Sequence, residues 1–113
     1  MNAVEARSLL IGIPKEEFIT EYFSDSIGKC CSVGHLVRLK SSNPNIYHQS
    51  LSDGYNNEVS EFVRVDVSNF LWEKYNQSAT LATVNNNPNI NGYTQDNPKD
   101  RVIALLDDMI NTN

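Results

Sequence analysis

The segment that most constrains this chain is its last, residues 97–110, because it is stable only if it docks. Val102, Ile103, Leu106, Met109 and Ile110 recur at i, i+1, i+4, i+7 and i+8, one apolar stripe along an α-helix. Asn97 suits the N-cap, and Pro98 suits the first helical position, where its missing N–H costs nothing. Asp100 adds a carboxylate near the positive end of the helix dipole. Burying each apolar side chain contributes roughly 1.5–3 kcal/mol before conformational entropy is subtracted, so the stripe requires a complementary face elsewhere.

The rest of the chain offers such faces at helical spacing. Val4, Leu9 and Leu10 place a short helix over 5–10, stopped by Gly12 and Pro14. The pattern predicts another helix opening at Pro14, with Lys15, Glu16 and Glu17 in its first turn and Phe18, Ile19, Tyr22 and Phe23 buried. A third runs over 29–39, where Cys30, Val33, Leu36 and Val37 share a face and Cys31 and His35 are i, i+4 neighbours. Residues 41–57 read as a polar loop pinned by Ile46, Tyr47 and Leu51.

From 58 to 76 the period returns: Val59, Phe62 and Val63, then Val67, Phe70, Leu71 and Tyr75. Asp66 or Ser68 is placed to cap a second helix there, after a kink. The alternation over 62–67 also suits a strand, but the apolar residues past 67 keep helical spacing. β-branched residues around Leu81 and the Asn91-Gly92 turn signal leave room for a small β-hairpin around 80–94, with Ile90 paired to Tyr93. The expected fold class is mainly α, a compact bundle of four or five short helices forming a single globular domain over 1–113.

Composition excludes several functions. A net charge of −5 opposes non-specific binding to nucleic acid, which depends on Lys and Arg neutralising phosphates. No apolar run approaches the length of a membrane span, and the first residues lack the basic and apolar regions of a secretory signal. Cys30 and Cys31 are adjacent, and a bridge between neighbours is strained, so both are expected as thiols in a reducing, cytoplasmic setting. There is no glycine-rich phosphate loop and no Gly-x-Ser-x-Gly elbow.

Two groups of residues remain as candidates. Cys31 and His35 form the catalytic one: a thiol at a helix start with an imidazole one turn on, an asparagine of the 85–91 loop orienting the ring. Their spacing opposes it, because cysteine hydrolases bring histidine from a distant strand. The alternative is a buried cysteine packed as a small hydrophobe with a histidine at its rim. Cys30, Cys31, His35 and His48 lack the paired spacing of a structural zinc site, so no metal and no cofactor are expected. The binding candidates are Asn85, Asn86, Asn91 and Tyr93, in a loop rich in side chains that both donate and accept. These can meet a partner's backbone, line a small-molecule pocket, or satisfy the loop's own amides. Tyr47 and Tyr55 are neighbouring anchor candidates.

Cys31-Ser-Val-Gly-His-Leu36 resembles a Cys-x-x-Gly-Ala-Leu helix, with His35 in place of the small residue. Val84-Asn85-Asn86, followed by 97–109, resembles a Trp-Asn-Asp loop leading into a Val-x-x-Leu-Leu helix, with Asn86 in place of the aspartate and a longer loop. Together these segments, about a third of the chain, are similar to an uncharacterised family of small helical bacterial and phage proteins, a domain of unknown function. The resemblance implies a bacterial or phage source and a common core for the Cys31 helix and the Asn85 loop. It implies no activity. The leading expectation, reached by elimination, is a non-enzymatic interaction domain with a protein partner, homo-oligomerisation remaining open. A Cys31-dependent hydrolase or transferase and a small-molecule-binding domain are the alternatives.

Overall fold

The computed structural model describes residues 1–20, 29–40 and 57–112. Tyr22, Phe23, Ile46, Tyr47, His48, Leu51 and Tyr55 therefore lie outside the described residues. Within them are five helices: α1 (Ala3–Ile11), α2 (Ser32–Lys40), α3 (residues 57–75), α4 (Leu81–Asn86) and α5 (Pro98–Thr112). The mainly α expectation describes the molecule. No helix among the described residues is long and apolar enough to cross a membrane.

The terminal helix is the hub, packing on α1 along one side and α4 along another, while α2 lies against α1, α4 and the start of α3. Asn97 caps α5 as expected, its Oδ1 accepting the Asp100 N–H at 2.9 Å and its Nδ2 donating to the Asp100 carboxylate at 2.7 Å. The buried stripe is rotated from the expected one. Arg101, Val102, Leu105 and Leu106 are interior, whereas Ile103, Met109 and Ile110 are only partly covered. Leu105 faces the core because helices pack against α5 on two sides, which widens the covered face.

α1 starts where Asn2 Oδ1 accepts the Glu5 N–H at 2.9 Å, and it buries Ala6 and Leu10 one turn apart. The helix expected after Pro14 does not form in the described residues. A single 3₁₀ turn, Lys15–Glu17, gives way to extended backbone at Phe18, φ −97° and ψ 127°. Two long-range backbone bonds account for this: Cys30 N–H to Glu17 O at 3.1 Å and Ile19 N–H to Cys30 O at 3.0 Å. A partner segment thereby overrides local helical preference.

α3 is continuous, with a π-helical stretch over Glu61–Asp66 between two α-helical ones, Asn57–Ser60 and Val67–Tyr75. No break or cap interrupts it at Asp66, which is helical and makes no capping bond, and the Ser68 hydroxyl donates instead to Ala79 O at 2.7 Å. Asn76 ends the helix in the left-handed conformation, φ 55° and ψ 39°, its N–H bonded to Trp72 O at 2.8 Å.

The hairpin expected around 80–94 does not form as such: Leu81–Asn86 is helix. Thr80 and Thr83 form a reciprocal capping box, 3.4 Å and 3.1 Å, that starts α4. What remains of the hairpin is one isolated antiparallel bridge between Ile90 and Tyr93. Gly92 turns it at φ 85°, and a Cβ there would lie 2.5 Å from the Tyr75 hydroxyl. Glycine is thus required for conformation and for space.

Candidate functional site

Three of the sequence candidates, Cys31, His35 and Asn85, meet in one buried polar seam, formed where α2, α4 and the 17–19 segment come together. Cys31 precedes α2 and is 7% exposed, its sulfur accepting the Gly34 N–H at 3.5 Å. Burial pushes its thiol pKa up, outweighing the backbone N–H groups of Gly34 and Val33 that favour thiolate. His35 is 1% exposed. Its Nε2–H donates to Glu17 O at 2.9 Å, and its Nδ1 accepts from Arg38 Nη2 at 3.4 Å. That arrangement fixes a neutral tautomer. Burial holds the His35 pKa down, opposed by the Glu17 carbonyl and assisted by the Arg38 charge. The Phe18 ring packs at 4.7 Å from the imidazole. As placed, burial favours the protonated thiol of Cys31, and both imidazole nitrogens of His35 are engaged, by Glu17 O and Arg38 Nη2.

Asn85 is also interior. Its Oδ1 accepts the Ser32 N–H at 2.9 Å, capping α2 from another helix, while Nδ2 donates to Ile19 O at 2.9 Å and to Asn86 Oδ1 at 2.8 Å. The Cys31 helix and the Asn85 segment therefore do meet. Ser32 Oγ, buried at the same junction, has no hydrogen-bond partner among the described residues. Tyr93 is fully buried, its hydroxyl donating to Asp108 Oδ2 at 2.8 Å and its ring edge-on to Tyr75 at 5.9 Å. Burial, then the Asp108 carboxylate, drives the Tyr93 pKa upward. Asn85 and Tyr93, expected at a binding surface, are both buried, and each bonds to groups of its own chain. Asn86 and Asn91 are exposed at the surface, and Asn87 serves the loop by accepting the Asn89 N–H at 2.9 Å.

Arg101 is absent from the sequence candidates, yet it fastens the seam. Only 3% exposed, its guanidinium donates to Val84 O at 3.1 Å, Asn85 O at 2.6 Å and Gln95 O at 2.8 Å. Two of these are carbonyls of the last turn of α4, where a cation meets the negative end of the helix. Burial lowers its pKa, and Asp96 opposes that. The signal is present in sequence: Arg101 lies on the same stripe as Val102 and Leu105.

The uncommitted surface lies elsewhere, on α3. Trp72, the chain's single tryptophan, is 56% exposed, and Val65, two turns earlier, is 49% exposed. Between α3, the end of α5 and the start of α1 runs a groove of about 380 Å³ lined by Phe62, Asp66, Asn69, Phe70, Glu73 and Met109, among others. Among the described residues no group of three or more His, Cys, Asp or Glu is placed to hold a metal ion.

The fold is thus a small helical bundle whose interior polar groups bond within the chain and whose α3 leaves Val65 and Trp72 exposed. No protein-family model, no curated protein and no solved structure matches the chain.

Proposed function

We propose that this protein is a non-enzymatic interaction domain that meets a protein partner through the outer face of α3. The observation that carries the reading is the exposure of Trp72 and Val65 on a helix that buries Val59, Phe62, Val63, Val67 and Leu71. Tryptophan is the residue most enriched at binding hot spots, and a small domain gains nothing in folding by leaving one in water. The alternative, chemistry at Cys31, is disfavoured by the same burial that raises its thiol pKa. A cytoplasmic setting is supported by two buried free thiols, and a bacterial or phage source rests on the resemblance of residues 31–36, 84–86 and 97–109.

A photo-crosslinking amino acid placed at position 72 in the host cell tests the reading. A discrete heavier adduct is expected from position 72 and none from position 86, on the asparagine loop. Adducts from 86 alone, or from neither position, would sink it. Iodoacetamide labelling of the native protein at neutral pH tests the alternative, and rapid alkylation of Cys31 would revive it.

A further inference from the structure

If α3 is an interaction face, on which this inference rests, the groove along α3 carries enough chemistry to specify its occupant. Its floor is apolar: Phe62, which is fully buried behind it, and the partly covered Phe70 and Met109. Its rim is acidic, with Asp66 and Glu73 on α3, seven residues apart and so on one edge of the helix. A second cavity, of about 220 Å³, shares Phe62 and Asp66 with the groove and adds Glu61. Glu61, Asp66 and Glu73 make no ion pair among the described residues, whereas Glu5, Glu58, Asp107 and Asp108 all do. Lys74, the cation at the far end, is held 3.4 Å from Asp108 and over the Phe70 ring, so it leaves the Glu73 charge unbalanced.

We propose that this groove takes a cationic amphipathic segment of a partner protein, its apolar side chains on Phe70 and Met109 and its lysines or arginines against Asp66 and Glu73. The volume suits two or three medium side chains. An amphipathic helix laid in an apolar groove is a common recognition mode, and the free carboxylates select the sign of its charged face. Nucleic acid is repelled by that rim. A second copy, paired about a two-fold axis through this face, would set the same carboxylates against each other.

The test uses the full chain and two synthetic helices, one of leucine and lysine and its leucine–glutamate counterpart, titrated calorimetrically at low salt. The lysine helix is expected to bind and the glutamate helix not. The double variant Asp66→Lys, Glu73→Lys should weaken binding at least about tenfold. A control with the same charge change on the exposed 3₁₀ turn, Glu16→Lys with Glu17→Lys, should weaken it less than about threefold. If the reversed variant folds poorly, Asp66→Asn with Glu73→Gln gives the same contrast at smaller amplitude. Equal binding of both helices, or equal weakening by groove and control variants, overturns the proposal. So does sedimentation as a dimer that the groove variant dissolves, which would make the occupant a second copy. If the lysine helix fails to bind while position 72 still crosslinks in cells, the partner chemistry is wrong and the interaction reading survives.

Discussion

Around α2 and α4, amides, an imidazole and a guanidinium lie in the interior with their hydrogen bonds directed at named backbone groups. Along the outside of α3, carboxylates and an indole face solvent, and the carboxylates form no ion pair among the described residues. The two regions look alike in sequence terms, each mixing polar and aromatic residues. They differ in that the polar atoms of the first, Ser32 Oγ apart, are already occupied. A buried polar group must be satisfied by its own chain or the fold bears the desolvation penalty, so dense internal bonding signals architecture. Polar groups left in water carry no such penalty and remain available to a partner.

The largest expected effect breaks the seam. Arg101→Met removes donors from three carbonyls while preserving side-chain bulk, and should cost about 3–5 kcal/mol in urea unfolding. A loss below about 1 kcal/mol would show that water replaces the guanidinium and that the seam is not structural. Asn85→Leu, which uncaps α2 and orphans Ile19 O, should cost about 2–4 kcal/mol by the same measurement.

His35 sharpens the contrast through pH. Its folded-state pKa lies below the unfolded value of about 6.5, so the neutral ring stabilises the native chain above that value. That contribution is lost as pH falls from the unfolded pKa toward the folded one, at no more than about 1.4 kcal/mol per pH unit for one proton. Unfolding midpoints compared between neutral pH and about pH 5 should fall for the native sequence and fall less for His35→Gln. Identical pH profiles would mean that the imidazole is not held neutral.

The smallest effect belongs to the outer face. Trp72→Ala should change stability by no more than about 0.5 kcal/mol, since the side chain is already in water. A larger loss would place Trp72 in the architecture and erase the distinction between the two regions.

What is legible in the sequence follows the same division. Apolar spacing locates α1, α2, α3 and α5, because burial of a helical stripe is a local pattern with a global requirement. The segment after Pro14 misleads, since no local feature announces that Cys30 will take the backbone of Glu17 and Ile19. β-branching draws α4 toward a strand, although Thr80 and Thr83 at capping-box spacing mark its start. For the site, Asn85 and Tyr93 stand out by residue type, but type alone cannot say whether an amide turns inward or outward. Arg101 escapes notice because charge on a helix is usually solvated, and the groove does not exist until residues of α3, the end of α5 and the start of α1 come together.

The chain's only indole stands largely in water, and this decides what it can report. Its emission is already that of a solvated ring in the native protein, so intrinsic fluorescence will report melting of this fold poorly. A blue shift on adding another molecule would instead register the moment that ring leaves water, making Trp72 a built-in optical gauge of occupancy rather than of folding.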